Sequence, residues 1–257
     1  MMKRYFFGLL TMLLVLSACE QDDSSFPLLP VDIRAIEYHL DSEVVGPATL
    51  YLNLRTQEIY GCVNYSIDHD LSFEGGVLTI RLKEASIGDI CLTATGPASL
   101  LLELPTTTTQ LVLQSGDETN VYDMSITAES VSFTAVNTSF SRLEESIFNR
   151  YPENSFALVC GTYNERPNFC AELKNHLMAN APSLEEFSFG PGVVPYGYSD
   201  GNWINVPSSY FYYNNENDYQ QAGQLFQDYI NQNAVPNEGI SARLEGWNNL
   251  NFWSFRD

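Results

Sequence analysis

The chain has 257 residues, 44% of them hydrophobic and 13% aromatic. That length and apolar fraction give one large domain or two ordinary ones and exclude disorder as the main state. With 12 basic against 32 acidic residues the formal charge is −20, which excludes duplex nucleic acid as a partner because phosphate contacts come from Lys and Arg; three His leave little material for histidine-based metal sites.

The N-terminus reads as an address. Lys3 and Arg4 form a short positive end, and Tyr5 to Leu16 form an apolar run too short to span a bilayer as a permanent helix. The run ends in Leu16-Ser17-Ala18-Cys19, followed at once by polar residues. This segment resembles the lipobox of bacterial lipoproteins, and the resemblance is confined to it. It implies cleavage before Cys19, a diacylglycerol on the Cys19 thiol, acylation of the new amine and attachment to the outer membrane; the plainer reading is an ordinary secretory signal. Each buried CH₂ of such chains contributes about 0.8 kcal/mol, so several chains hold a protein stably. Loss of residues 1–18 removes Lys3 and Arg4 and no acid, which leaves 10 basic and 32 acidic residues, a charge of −22. A body so charged is repelled by anionic lipid, so the acyl chains are the expected membrane partner. Residues 19–31 read as an acidic tether. Its Glu20-Gln21-Asp22-Asp23 resembles the surface-export signal of Bacteroidota lipoproteins; a plain spacer on a periplasm-facing lipoprotein is the alternative.

Residues 32–136 have the texture of strands. Leu50, Leu52 and Leu54 alternate with mostly polar residues, as do Leu78, Ile80 and Leu82 and then Tyr122, Met124 and Ile126, and Leu100, Leu102 and Leu104 repeat the spacing. Alternation of period two means one packed face and one wet face. Gly75-Gly76 and Ser115-Gly116-Asp117 read as hairpin turns, and Thr106–Thr109 as a turn entering a strand. The expectation is an antiparallel β-sandwich, immunoglobulin-like in broad architecture, followed by a smaller α+β domain. Asp68-His69-Asp70 reads as a solvated loop, since three adjacent residues rarely converge on one ion.

Four Cys remain once Cys19 is set aside, an even number that suits disulfides in an exported protein. Of the three pairings, Cys62–Cys91 and Cys160–Cys170 keep each bridge within one proposed domain; free buried thiols are the alternative.

Residues 141–257 carry a different pattern. Ser141-x-x-Glu144 matches a capping box, and Leu143, Ile147 and Phe148 could form one stripe, which predicts a short linker helix ended by Pro152. Phe156–Cys160 reads as a buried strand, and Pro167–Asn180 as a helix with Phe169, Leu173 and Leu177 on one face. Ser183 and Glu186 are expected to cap a short helix. Residues 188–217 read as a long irregular segment. Asp218–Gln232 is the clearest helix, and Ile240–Trp247 and Leu250–Phe255 look like terminal strands.

The common hydrolase, zinc-protease and nucleotide-binding signatures are absent from the sequence. Cys160 at the end of a strand, with His176 as base, is a conceivable nucleophile, but oxidation with Cys170 is the simpler fate. Glu185-Glu186 are adjacent, whereas paired glycosidase carboxylates face each other across a cleft. No catalytic residue, metal site or cofactor is therefore expected. Calcium suits the acidic, Asn-rich stretches Asp200-Gly201-Asn202 and Asn214–Asp218 better than any transition metal does, although such loops are usually just solvated. The most informative feature is aromatic: Tyr196, Tyr198, Trp203, Tyr210, Phe211, Tyr212 and Tyr213 lie among Asn, Gly and Ser. With Trp247 and Trp253 these rings are candidates for stacking on a sugar or a peptide; the alternative is that they brace a small second core. The expectation is an envelope-anchored, non-enzymatic binding lipoprotein with a glycan or protein ligand. An exported hydrolase and a structural subunit of an outer-membrane assembly are the alternatives. No family resemblance extends into residues 30–257.

Overall fold

The structure, a computed structural model, describes residues 27–41, 43–162, 166–196, 204–205, 207–236 and 238–255. Cys19 lies outside the described residues.

The first half builds one large curled sheet from β1 (Val31–Tyr38), β2 (Thr49–Tyr60), β3 (Ser66–Glu74), β4 (Val77–Ser86), β5 (Gly96–Glu103), β6 (Gln110–Ser115), β7 (Glu118–Ile126), β8 (Ser130–Asn137), β9 (Ser141–Leu143) and β10 (Ile147–Asn149). The order is β10-β8-β7-β6-β4-β3-β5-β2-β1-β9. The alternating apolar residues enter one core, where Ile33, Leu52, Leu54, Ile80, Leu82, Leu111 and Leu113 are fully buried. The hairpin turns lie where the glycines put them, with positive φ at Gly75, Gly76 and Gly116. Thr106–Thr109 turn into β6, with the Thr108 amide on the Pro105 carbonyl at 2.9 Å.

The sheet is mixed, where antiparallel pairing was expected. β4 and β6 pair in parallel over six residues, from Val77↔Gln110 to Leu82↔Ser115. After β4 the chain crosses to lay β5 beside β2, and so returns beside β4 in the same direction. β3 meets β5 at a single parallel pair, Ser66↔Ser99, the narrowest seam of the sheet. Asp68-His69-Asp70 is no loop: it lies within β3, where Asp70 receives Lys83 at 2.5 Å from the neighbouring strand. This strand is mostly exposed on both faces, so it lacks the apolar alternation by which the others are read.

The linker helix expected over 141–149 is replaced by two short strands. β9 pairs with β1 at one edge of the sheet and β10 with β8 at the other. Open strand edges supply more hydrogen bonds than a single capped turn. The Val31 amide donates to Phe140 at 3.2 Å, Glu144 to Ile33 at 3.0 Å and Phe133 to Ser146 at 2.9 Å. Ser141, the expected cap, is instead held by Asn120 Oδ1, which accepts from its amide at 2.9 Å and its hydroxyl at 2.6 Å.

The second half forms a smaller sheet from β11 (Ser155–Thr162), β12 (Glu185–Phe187), β13 (Ile204–Asn205), β14 (Ser209–Tyr212), β15 (Ile240–Gly246) and β16 (Asn251–Trp253), with α1 (Phe169–Asn180) and α2 (Glu216–Asn233). The order is β12-β14-β11-β15-β16, with β13 also on β11. Every residue of β11 is buried. Phe156, Leu158 and Cys160 face the core made with the helices, and Ala157 and Val159 face a smaller one around Tyr196. Asn215 caps α2 by accepting from the Asn217 and Asp218 amides, so Asn214–Asp218 serve the start of a helix. Ser183 and Glu186 cap nothing: Glu185–Phe187 pair with β14, and Lys174 reaches Glu186 at 2.5 Å. The segment expected to be irregular supplies β14 and the start of α2.

Both bridges are formed. Cys160–Cys170 joins β11 to α1, and Cys62–Cys91 joins the turn after β2 to the loop after β4. By the chain-entropy relation the longer loop is worth about 3–4 kcal/mol and the shorter about 2–3 kcal/mol.

The two sheets meet at an ion pair. Arg150 Nε donates to Glu37 Oε1 at 2.7 Å, and the Tyr151 amide donates to Glu37 Oε2 at 2.6 Å. The Glu37 side chain is only 4% exposed. Gly192, at φ +115°, lies on Ile147 so closely that a Cβ would sit 2.5 Å from its carbonyl oxygen. Glu37→Gln removes the charge from this junction, and we expect it to cost about 2 kcal/mol in urea unfolding, with the oxidised bridges intact.

Candidate functional site

The predicted aromatic cluster separates into three places. Tyr196 is buried, with its hydroxyl 2.6 Å from Ser155 Oγ and its ring stacked with that of half-buried Tyr210 at 5.8 Å. Phe211 and Tyr213 lie across the sheet in the helix-side core, where Tyr213 stacks on Tyr219 at 5.0 Å and accepts from Trp247 Nε1 at 2.8 Å. Tyr212, 37% exposed, stacks on Phe187 at 4.1 Å beside a hollow of about 370 Å³ that Glu129, Arg150 and Glu153 also line. The reason is β14: along a strand successive side chains take opposite faces, so a run of four rings cannot line one groove. Tyr198 and Trp203 lie outside the described residues, as does Asp200-Gly201-Asn202.

Trp253 goes elsewhere. With Arg34, Glu37, His39, Tyr151, Glu245 and Asn249 it lines a cleft of about 640 Å³ where the outer edge of β1 meets the second sheet. β9 covers β1 only from Val31 to Ile33, and beyond that point the edge of β1 forms one wall. Phe148 and Val193 to Pro195 form another. The Val31 amide and the Ile33 carbonyl point to this edge, so by the alternation of a strand the backbone groups of Ala35 and Glu37 do as well. Asn249, at φ 67°, ties the two sides together, its Nδ2 donating to Asp41 O at 3.0 Å and Val44 O at 2.9 Å.

The polar atoms of the cleft differ in how they are engaged. Both Glu37 oxygens accept from the junction, and Glu245 Oε2 accepts from Arg243 Nε at 3.0 Å. The Arg243 guanidinium covers one side of Trp253, 5.1 Å from the ring centroid. Tyr151 is buried enough that its phenol is pushed far above its ordinary value; it stays protonated and donates to Pro195 O at 3.0 Å. Among the described residues, Arg34 Nε and His39 Nε2 are buried without a hydrogen-bond partner, while Arg34 Nη1 lies 3.7 Å from Glu144 Oε2. Burial holds the His39 ring below its ordinary value, against the opposing pull of a hydrogen bond to the Trp247 backbone and of the Glu37 and Glu245 charges. The neutral ring keeps one donor and one acceptor nitrogen, whereas Arg34 Nε is always a donor.

Among the described residues no group of three or more His, Cys, Asp or Glu is placed to hold a metal ion. Cys160 is oxidised and His176 lies on α1 against Tyr229, its ring 4.9 Å away, so the two do not form a thiol–imidazole couple. Arg34, Glu37, His39 and Asn249 were not among the residues expected at a site. The only available signal was the wet phase of β1, in which Asp32 and Arg34 alternate with core residues. No protein family, curated protein or solved structure matches the chain.

The lowered His39 value gives the fold a pH dependence of known sign. Unfolded, the ring takes a proton near its ordinary value of 6.5. Below that the unfolded state binds more protons than the folded one. The His39 contribution is therefore complete above 6.5 and is lost as the pH falls toward the lower folded value. His39→Gln should shrink the difference between urea midpoints measured at about pH 7.5 and about pH 5.5.

Proposed function

We propose that this chain is an envelope-anchored, non-enzymatic binding lipoprotein, lipidated at Cys19, whose ligand occupies the cleft between the two sheets. We read residues 32–136 as a sandwich-like domain and 141–257 as an α+β domain; two separate main cores support the division. The observation that carries the functional reading is the cleft itself, where the ring of Trp253 lies with polar side chains of both halves, among them Arg34, His39, Glu245 and Asn249. A hydroxyl-rich ligand suits such a lining, since each hydroxyl donates and accepts, and an aromatic ring suits the apolar face of a sugar. A glycan is therefore the favoured ligand, and a cleft of about 640 Å³ suits a short oligosaccharide.

The hydrolase alternative would draw its carboxylates from Glu37 and Glu245, which line the same cleft. Both Glu37 oxygens already serve the junction, so this residue is committed to structure. We expect the soluble residue 20–257 form to bind glycans on an array, with affinity lowered about tenfold by Trp253→Ala, as loss of a stacking ring of about 1.4 kcal/mol requires. Cleavage of a glycan by the purified protein would reverse the assignment in favour of a hydrolase. Protein capture in a pull-down with no glycan bound would make the ligand a polypeptide.

A further inference from the structure

The loops beyond β2 and β4 form an apolar tip that the cleft does not use. Ile59, Val63, Ile90 and Leu92 are 61%, 45%, 71% and 53% exposed. They stand around the Cys62–Cys91 bridge, and the loops are tied further by Asn64, which donates to Ile90 O at 2.7 Å and accepts from the Leu92 amide at 3.0 Å. Tyr60 and Tyr65 stack at 4.5 Å at its base. Four protruding aliphatic side chains on a stapled scaffold are costly to leave in water. Residues 59–66 and 87–96 contain a single charge, Asp89, in a chain of 32 acids.

The register shows which way the tip points. Val31 pairs with Thr56, and the Gln57 amide donates to Pro30 O at 3.0 Å, so the chain enters the sheet at the end where β2 runs on toward Cys62. At that end the β6–β7 hairpin turns back at the level of Leu82, while β4 continues to Ser86 before the tip begins. Four further residues at strand rise put the tip about 13 Å beyond that hairpin and its Asp117 and Glu118. From Cys19 to Pro27 the tether spans at most about 26–29 Å when extended.

We infer that the disulfide-stapled tip seats in the interface of the bilayer to which Cys19 is anchored, an inference that rests on the lipidation proposed above. The anchor and the tip leave the body at the same end. The tip is the near-neutral part of a body otherwise repelled by anionic headgroups, and its paired tyrosines have the amphipathic character favoured at the headgroup level. Seated so, the first sheet stands on the membrane with the cleft, at the far end of β1, held away from it.

The test uses the processed, lipidated chain reconstituted in phosphatidylcholine–phosphatidylethanolamine vesicles with brominated acyl chains, which quench tryptophan on contact. Ile90→Trp reports from the tip. Phe73→Trp, at the far end of β3 beside the Gly75-Gly76 turn, is the control. We expect the added fluorescence of Ile90→Trp to be quenched at least twofold more than that of Phe73→Trp, and Leu92→Asp in the Ile90→Trp chain to abolish the difference. Equal quenching in a chain that still floats with the vesicles overturns the tip and leaves the anchor standing. Flotation of Cys19→Ala equal to that of the parent overturns the anchor, and the seating with it. Crosslinking of position 90 to another envelope protein in cells, without quenching in vesicles, assigns the tip to a protein partner and overturns the bilayer.

Discussion

Residues 140–151 satisfy two open strand edges and one buried charge in a single short passage of chain. β9 closes against β1, three residues later β10 closes against β8, and Arg150 and Tyr151 then meet Glu37. Because β1 and β8 lie near opposite limits of the sheet order, the curl of the first sheet is fixed by the reach of this strap. The same strap sets where β11 begins, and so where the second sheet stands. A buried carboxylate held by a guanidinium and an amide tolerates little movement, since separation would leave the charge desolvated and unpaired.

The cleft follows from that arrangement. β9 stops at Leu143, so β1 is covered over Val31–Ile33 and open beyond. The second sheet is brought over the open part but does not pair with it, and polar groups of both halves are left facing a shared space. A cleft assembled in this way depends on the junction ion pair for its shape.

Much of the local structure was legible in the sequence, because burial on one face writes itself as period two or 3.6. Leu50, Leu52 and Leu54 lie in β2, Leu78, Ile80 and Leu82 in β4, and the run about Phe226 in α2. The failures have a common physical origin. Ser141-x-x-Glu144 is a local signal, and it lost to hydrogen bonds from strands distant in sequence. Asp68-His69-Asp70 and Glu185-Glu186 are strands held by their neighbours' backbones with little side-chain burial, so they carry no periodicity. The rings of 196–213 were visible as composition, but their division between two faces of a sheet is a property of β14 pairing with β11. Arg34, Glu37 and His39 were not legible at all. Arg34 reads as the wet side of a strand, whereas Glu37 and His39 follow the core phase of Val31, Ile33 and Ala35, and neither placement announces the sheet that lies over them.

The outermost strands of both sheets, β9, β10, β12 and β16, are each three residues long. A short rim offers a neighbouring molecule too few consecutive amides and carbonyls to dock on. For a polypeptide so rich in β-structure, these abbreviated margins leave little at the ends of either sheet for a second copy to extend.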